Sequence, residues 1–197
     1  MEKECTDKRA AIIQAAMYLI AENGFHGAPT AMIAQQAEVG AGTIYRYFAD
    51  KDELISAVHH DVEERINTVL QVQYPIHGTV RQRLNYYYTG LIRYFLQHLV
   101  DFKFLGQFYN SPYGIALRRD KIFEASKQPT STCEPIALLF EKGIEEGDIK
   151  NLPLAILFSL FFGTLTSIIR DHVQGFVVLD DELIQKTASV CWDALRA

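Results

Sequence analysis

Between Gly27 and Leu54 the chain reads GAPTAMIAQQAEVGAGTIYRYFADKDEL, two short helical patterns separated by a tight break. Thr30 has the hydroxyl of a good N-cap, and Ile33, Ala34 and Ala37 follow as an apolar edge at helical spacing. This helix is expected to end near Glu38. Gly40 and Gly42 bracket a second start, after which Ile44 and Phe48 fall four apart on one face and leave Ala41, Thr43, Arg46 and Tyr47 to point elsewhere. The pattern is helix-turn-helix. A helix of about seven residues does not persist alone in water, so its neighbours must hold it from one side.

The other side of the second helix is then available to a ligand. A helix fits the major groove of B-DNA, and the small residues Ala41-Gly42-Thr43 at its start allow close approach to base edges and phosphates. Tyr47 and Lys51 are placed to hydrogen-bond phosphate oxygens, and Arg46 to reach a phosphate or a guanine edge. Thr30 opens the preceding helix, where an N-terminus faces the backbone.

The residues Ile33-Ala34-x-x-Ala37-x-Val39-x-x-Gly42-x-x-Tyr45-x-Tyr47-Phe48-x-x-Lys51-x-x-Leu54 resemble the DNA-binding motif of the TetR family of bacterial ligand-responsive transcriptional regulators. The resemblance spans roughly the first 55 residues. It implies that Thr30, Gly42, Thr43, Tyr45, Tyr47 and Lys51 touch DNA or lie beside it. Two positions depart from the family pattern. Glu38 stands where a turn glycine is common, and Gly40 stands where a serine usually caps, so position 40 offers no side-chain phosphate contact. Gly40 still suits an N-cap, since glycine ranks only slightly below serine there.

Composition gives a DNA-binding head no support, since the net charge has the wrong sign for binding phosphates. Of the 197 residues 49% are apolar and 22% charged, ordinary for a folded globular chain, and the formal net charge is −5. Residues 1–51 hold five basic side chains (Lys3, Lys8, Arg9, Arg46, Lys51) against six acidic ones. The DNA reading therefore rests on the motif and on where those cations lie in space. Cys5, Cys133 and Cys191 form no CxxC pair and leave an odd thiol, which argues for a reducing compartment. The charged start MEKECTDKRA is not a secretion signal, so a cytoplasmic protein is expected.

Along the chain, Ile12, Ala16, Leu19 and Ile20 predict an amphipathic helix over residues 6–23, opened by Thr6 and closed by Gly24. A long helix begins at Asp50 or Asp52 and runs to about Leu70 with Leu54, Val58, Val62, Ile66 and Val69 on one stripe. The next spans Thr79 to about Leu99. Further helical segments divide at Asn110-Ser111-Pro112, Gln128-Pro129, Gly147 to Pro153 and Gly175, with no convincing strand alternation. The expected fold is all-α, with a three-helix helix-turn-helix domain over residues 1–50 and a helical effector-binding and dimerisation domain over residues 51–197.

The second domain is rich in rings. Each is most simply core, but Tyr87, Tyr88, Phe108, Tyr109, Phe158 and Phe162, alongside Phe123, Phe140 and Phe161, together suit an apolar pocket. His59, on the helix leaving the head, is expected to turn inward and meet the effector, because family resemblance places the pocket against this helix. His59 and His60 with Glu63 and Glu64 do not make a metal site without partners from elsewhere, and a solvated helix face is the default for the group. Leu152 to Ile169 is 18 residues without a charge, long enough to raise a membrane span. The semi-polar face of Ser159, Gly163, Thr164, Thr166 and Ser167 instead suits helix–helix packing. With Leu183 and Val190 of the helix from Asp180 to Leu195, the residues Ser159, Gly163, Thr164 and Ser167 are expected to form a homodimer interface. In the family the last two helices occupy that role.

No GxSxG, HExxH or paired-Cys signature occurs, and Gly40-Ala41-Gly42 lacks the strand and Gly-Lys-Ser/Thr of a phosphate loop. No enzyme, cofactor or metal is expected. The function expected is a dimeric regulator, a repressor released from a palindromic double-stranded operator by a small, largely apolar effector. The alternative is a helical small-molecule carrier whose head has lost DNA binding.

Overall fold

The computed structural model describes residues 2–123 and 136–197, with side chains described for 8–117, 119 and 136–197. The predicted break at Gln128-Pro129, the side chain of Phe123, and Cys5 and Cys133 as thiols lie outside the described residues. The described chain is all-α: α1 (Glu2–Asn23), α2 (Thr30–Gln36), α3 (Ala41–Tyr47), α4 (Lys51–Gln71), α5 (Val80–Gln97), α6 (Leu99–Tyr109), α7 (Pro112–Phe123), α8 (Ile136–Glu145), α9 (Leu154–Val173) and α10 (Asp181–Leu195). Strands are absent among the described residues apart from one isolated bridge, Ile149 with Arg196.

The chain divides into two compact units, residues 1–65 with 98–115 and residues 66–97 with 116–197. In the first, α1 buries Ile12, Ala16 and Ile20 completely and ends at Gly24, whose φ of +70° is the left-handed conformation that glycine adopts without strain. α2 and α3 pack against α1 through Ile33, Ala34 and Ile44. α6 folds back onto α1, burying Phe104, Leu105 and Phe108, and the Lys103–Glu22 ion pair (2.7 Å) ties the two helices at the surface. In the second unit α9 turns Leu157, Phe161, Leu165 and Ile169 inward at a strict spacing of four, and α10 turns Ile184, Ala188, Cys191 and Leu195 inward at spacings of four, three and four. Both pack on α5, whose start is a capping box. The Thr79 N–H donates to Gln82 Oε1 (2.9 Å), and the Gln82 N–H donates to Thr79 Oγ1 (3.2 Å).

Several boundaries differ from expectation for local reasons. α1 starts at Glu2, not Thr6, so Thr6 lies inside the helix and does not cap it. Thr30 is the first helical residue of α2, not its cap. Pro29 holds the cap position with φ −67° and ψ 151° and makes no side-chain capping bond. α4 is capped by Asp50, whose Oδ1 accepts from the Glu53 N–H (2.8 Å). On its apolar stripe Val69 is 48% exposed and Leu70 is buried, because the inward face advances by four from Ile66. Leu99 belongs to α6, since the chain breaks at His98.

Candidate nucleic-acid interface

The corner between α2 and α3 sets what α3 presents. α2 ends in a Schellman motif: the Val39 N–H donates to the Ala34 carbonyl (3.0 Å) and the Glu38 N–H to the Gln35 carbonyl (3.1 Å). That motif requires a left-handed residue, and Glu38 supplies it with φ 54° although it is not glycine. Gly40 is the N-cap of α3, with φ −66° and ψ 143°, and its carbonyl accepts from the Thr43 N–H (2.8 Å). The two departures from the family pattern thus leave the turn and the cap formed.

α3 buries Ile44, and Phe48 just beyond it is 2% exposed, with the Arg9 guanidinium over its ring at 5.2 Å. The rest faces outward. Gly40, Ala41, Gly42, Tyr45 and Arg46 are exposed, and Thr30, Thr43, Tyr47 and Lys51 half-buried. A Cβ added at Gly42 would meet nothing within 4 Å, so packing within this chain gives no reason for a glycine in the first turn of α3, where it lowers helix propensity relative to alanine. Lys51 is tethered: its Nζ donates to the Phe25 carbonyl in the α1–α2 connection (2.9 Å), leaving two ammonium protons for an anion.

The expected effector residues fall into two groups, each within one unit. In the first, His59 is buried, stacked on Phe108 (4.1 Å between ring centroids, 20° between planes) and edge-on to Tyr109 (5.9 Å). Its Nδ1 lies 3.6 Å from Glu63 Oε2 and its Nε2 3.5 Å from the Tyr109 hydroxyl. His59 does turn inward, while His60 stays in solvent beside Glu64. In the second, Phe158 stacks on Phe162 (5.7 Å, 10°) and meets Phe140 edge-on (5.6 Å), and Tyr87 packs on Tyr74 (5.3 Å). Tyr88 is core: 1% exposed, edge-on to Phe161, its hydroxyl 3.2 Å from Thr164 Oγ1. Burial pushes the Tyr88 phenol up to about 12 and the Cys191 thiol up to about 11.

Of the residues expected at a dimer interface, Ser159, Gly163, Thr164 and Val190 are exposed, and Ser167 and Leu183 half-buried. The Thr164 hydroxyl is bonded to Tyr88 and to the Leu160 carbonyl (2.8 Å), so its polar atom serves its own chain. α9 is long and apolar enough to cross a membrane by length and composition, and 22% of that apolar window is buried.

Sequence reasoning missed the groups that tie α4 to α6 and α7. The Arg65 guanidinium bonds Asp61 and Asp101 (3.0 Å), the latter only 4% exposed, and the Tyr113 hydroxyl donates to Asp52 Oδ1 (2.7 Å). Asp101 as the single acid in LVDFKFLGQFY was a signal for a buried ion pair. Tyr113 carried none.

A half-open helix on a capped corner, with a bare glycine in its first turn, defines a helix-turn-helix DNA-binding protein. Comparison with known proteins gives the family. A family profile described as "Bacterial regulatory proteins, tetR family" matches residues 12–58, and one described as "Tetracyclin repressor-like, C-terminal domain" matches residues 88–196. The chain belongs to the TetR family of bacterial transcriptional regulators. It is similar to the fatty acid metabolism regulator protein of Bacillus subtilis (strain 168), 26% identical over 195 residues that cover 95% of this chain and 97% of that one. Among solved structures it resembles a TetR family transcription regulator from Marinobacter aquaeolei VT8, with TM-score 0.83, 23% identity and coverage of 100% and 99% of the two chains. It also resembles a TetR family protein from Vibrio parahaemolyticus, with TM-score 0.73, 29% identity and coverage of 96% and 99%. These relatives are regulators of transcription, not enzymes, and so is this chain.

Proposed function

We propose that the protein is a cytoplasmic homodimeric repressor whose α3 helices enter successive major grooves of a palindromic operator, released when a small apolar molecule binds. Functionally the chain divides at residue 50, with residues 1–50 reading DNA and 51–197 serving effector binding and dimerisation. The observation that carries the reading is Gly42, an exposed glycine in the first turn of α3 whose missing side chain no neighbour requires but a closely approaching DNA surface does. On that surface Ala41, Thr43, Tyr45 and Arg46 face bases, while Thr30, Gly40, Tyr47 and Lys51 face phosphates. The dimer rests on α9, an apolar helix of whose apolar window only 22% is buried within this chain.

The effector binds among aromatic side chains. Phe158 and Phe162 with Tyr87 form one candidate group, and His59, Phe108 and Tyr109 the other, while Tyr88, expected with the first, is taken up by the core. The relative named for fatty acid metabolism makes fatty acids the first class to screen. The test is a footprint on the protein's own upstream DNA, repeated with ligands that raise its melting temperature. Protection of an inverted repeat, lost on adding ligand, supports the reading. Absence of any protected site at low salt refutes it. Substituting Phe162→Ala and Phe108→Ala separately tells which group holds the ligand.

A further inference from the structure

The start of α4 is enclosed by a closed circuit of interactions inside the first unit. The Lys51 Nζ donates to the Phe25 carbonyl (2.9 Å). The Phe25 ring packs on the Tyr113 ring (5.5 Å between centroids, 42°), and the Tyr113 hydroxyl donates to Asp52 Oδ1 (2.7 Å). Asp52 is peptide-bonded to Lys51, which completes the circuit. The bond to Asp52 is also the foremost cause holding the Tyr113 phenol above its ordinary pKa. Tyr113 lies in the first turn of α7, and residues of that helix from 116 onward belong to the second unit. The chain therefore runs from one unit to the other through α7 as well as through α4.

A lysine ammonium on a flexible four-carbon stem samples many rotamers, and each that points away from a phosphate weakens binding. One fixed carbonyl acceptor narrows that set and leaves two N–H groups to donate. The carbonyl is only as fixed as Phe25, which lies in the irregular segment between α1 and α2 and has the Tyr113 ring against its own. We propose that Tyr113 is a positioning residue for DNA binding: by holding Phe25 and Asp52 together it fixes the carbonyl that aims Lys51 at the phosphate backbone. The proposal rests on the reading that Lys51 contacts phosphate. It makes α7 a second route by which a change in the rest of the chain reaches the DNA-binding face.

The experiment is a double-mutant cycle of Tyr113→Phe and Lys51→Ala in the full-length protein. Binding to a mixed-sequence duplex is measured over a salt series, since phosphates carry no sequence information. Lys51→Ala should lower affinity and reduce the log–log salt slope by about 0.9 for each phosphate it no longer neutralises. Tyr113→Phe keeps the ring on Phe25 and removes the bond to Asp52. It should weaken binding severalfold, up to roughly tenfold, with part of the same slope change, and cause no further loss when Lys51 is already alanine. An equal loss in both backgrounds overturns the proposal, as does an unchanged affinity in Tyr113→Phe while Lys51→Ala binds weakly. If Lys51→Ala changes neither affinity nor slope, the phosphate reading fails and the proposal falls with it. A melting curve for each variant checks folding, and Asp52→Asn, which weakens the same bond from the acceptor side, repeats the cycle should Tyr113→Phe not fold.

Discussion

Glu38 is the one non-glycine residue with positive φ among those described, and replacing it by glycine should make the protein more stable. For an L-residue the left-handed conformation costs roughly 1–2 kcal/mol through the approach of Cβ to the following carbonyl. Glycine escapes that strain but loses more backbone entropy on folding, roughly 0.5–1 kcal/mol. The difference leaves a net gain of about 1 kcal/mol for Glu38→Gly, because both Schellman hydrogen bonds are main-chain and survive the change. In a chain of this length that raises the melting temperature by about 2–4 °C. Thermal unfolding followed by circular dichroism at the helical band is the assay, and Glu38→Ala is the control. Alanine removes the same carboxylate but keeps the strain, so its melting point should stay near that of the parent. Both variants remove a negative charge near the DNA face and should bind a duplex more tightly at low salt. If Glu38→Gly melts no higher than Glu38→Ala, backbone strain at this turn is not what limits stability, and the reasoning is refuted.

Gly42→Ala should separate folding from function, raising stability by at most roughly 1 kcal/mol through helix propensity while lowering affinity for DNA. A rise in both would show that the glycine is not there for close approach. A Gly163→Arg protein should remain folded, since a Cβ there meets nothing within 4 Å, but should sediment as a monomer and lose operator binding. A dimer that persists in sedimentation overturns the α9 interface. Stability should decline in alkali. The buried Cys191 thiol is raised from 9.0 to about 11 and the Tyr88 phenol from 10.0 to about 12, so the unfolded chain gives up protons first. Their contribution is whole below pH 9 and is lost as pH climbs towards 11 and then 12. Melting temperatures across that range, with Cys191→Ala flattening the first part of the fall, provide the check.

The helix-turn-helix was legible because its signals are local. Ile44 and Phe48 at a spacing of four, Gly40 as a cap and Gly24 as a stop each act within a turn or two of chain, and the structure forms all of them. The strained turn was half-legible: sequence marked Glu38 as an odd residue for its place, but only the backbone revealed that it adopts the glycine conformation regardless. The inward turn of His59 was anticipated, whereas which rings line a cavity and which, like Tyr88, fill the core was left open, since a ring at helical spacing reads the same in either place. The long-range ties, Tyr113 to Asp52 and Arg65 to Asp101, had to come from the fold. They join residues 61 and 36 positions apart, and no spacing rule reaches that far.

That α6 packs on α1 has a consequence for how the protein is made and remade. During synthesis the buried face of α1 waits for residues 98–115, which at about 5–20 residues per second leaves a bare apolar surface for seconds after residue 65 has been added. For the protein engineer, a graft of the reading head onto another body is incomplete when cut at a single point. It must carry the distant segment 98–115 with it, or the recipient must offer a helix of matching shape, with a residue in the place of Asp101 to answer Arg65.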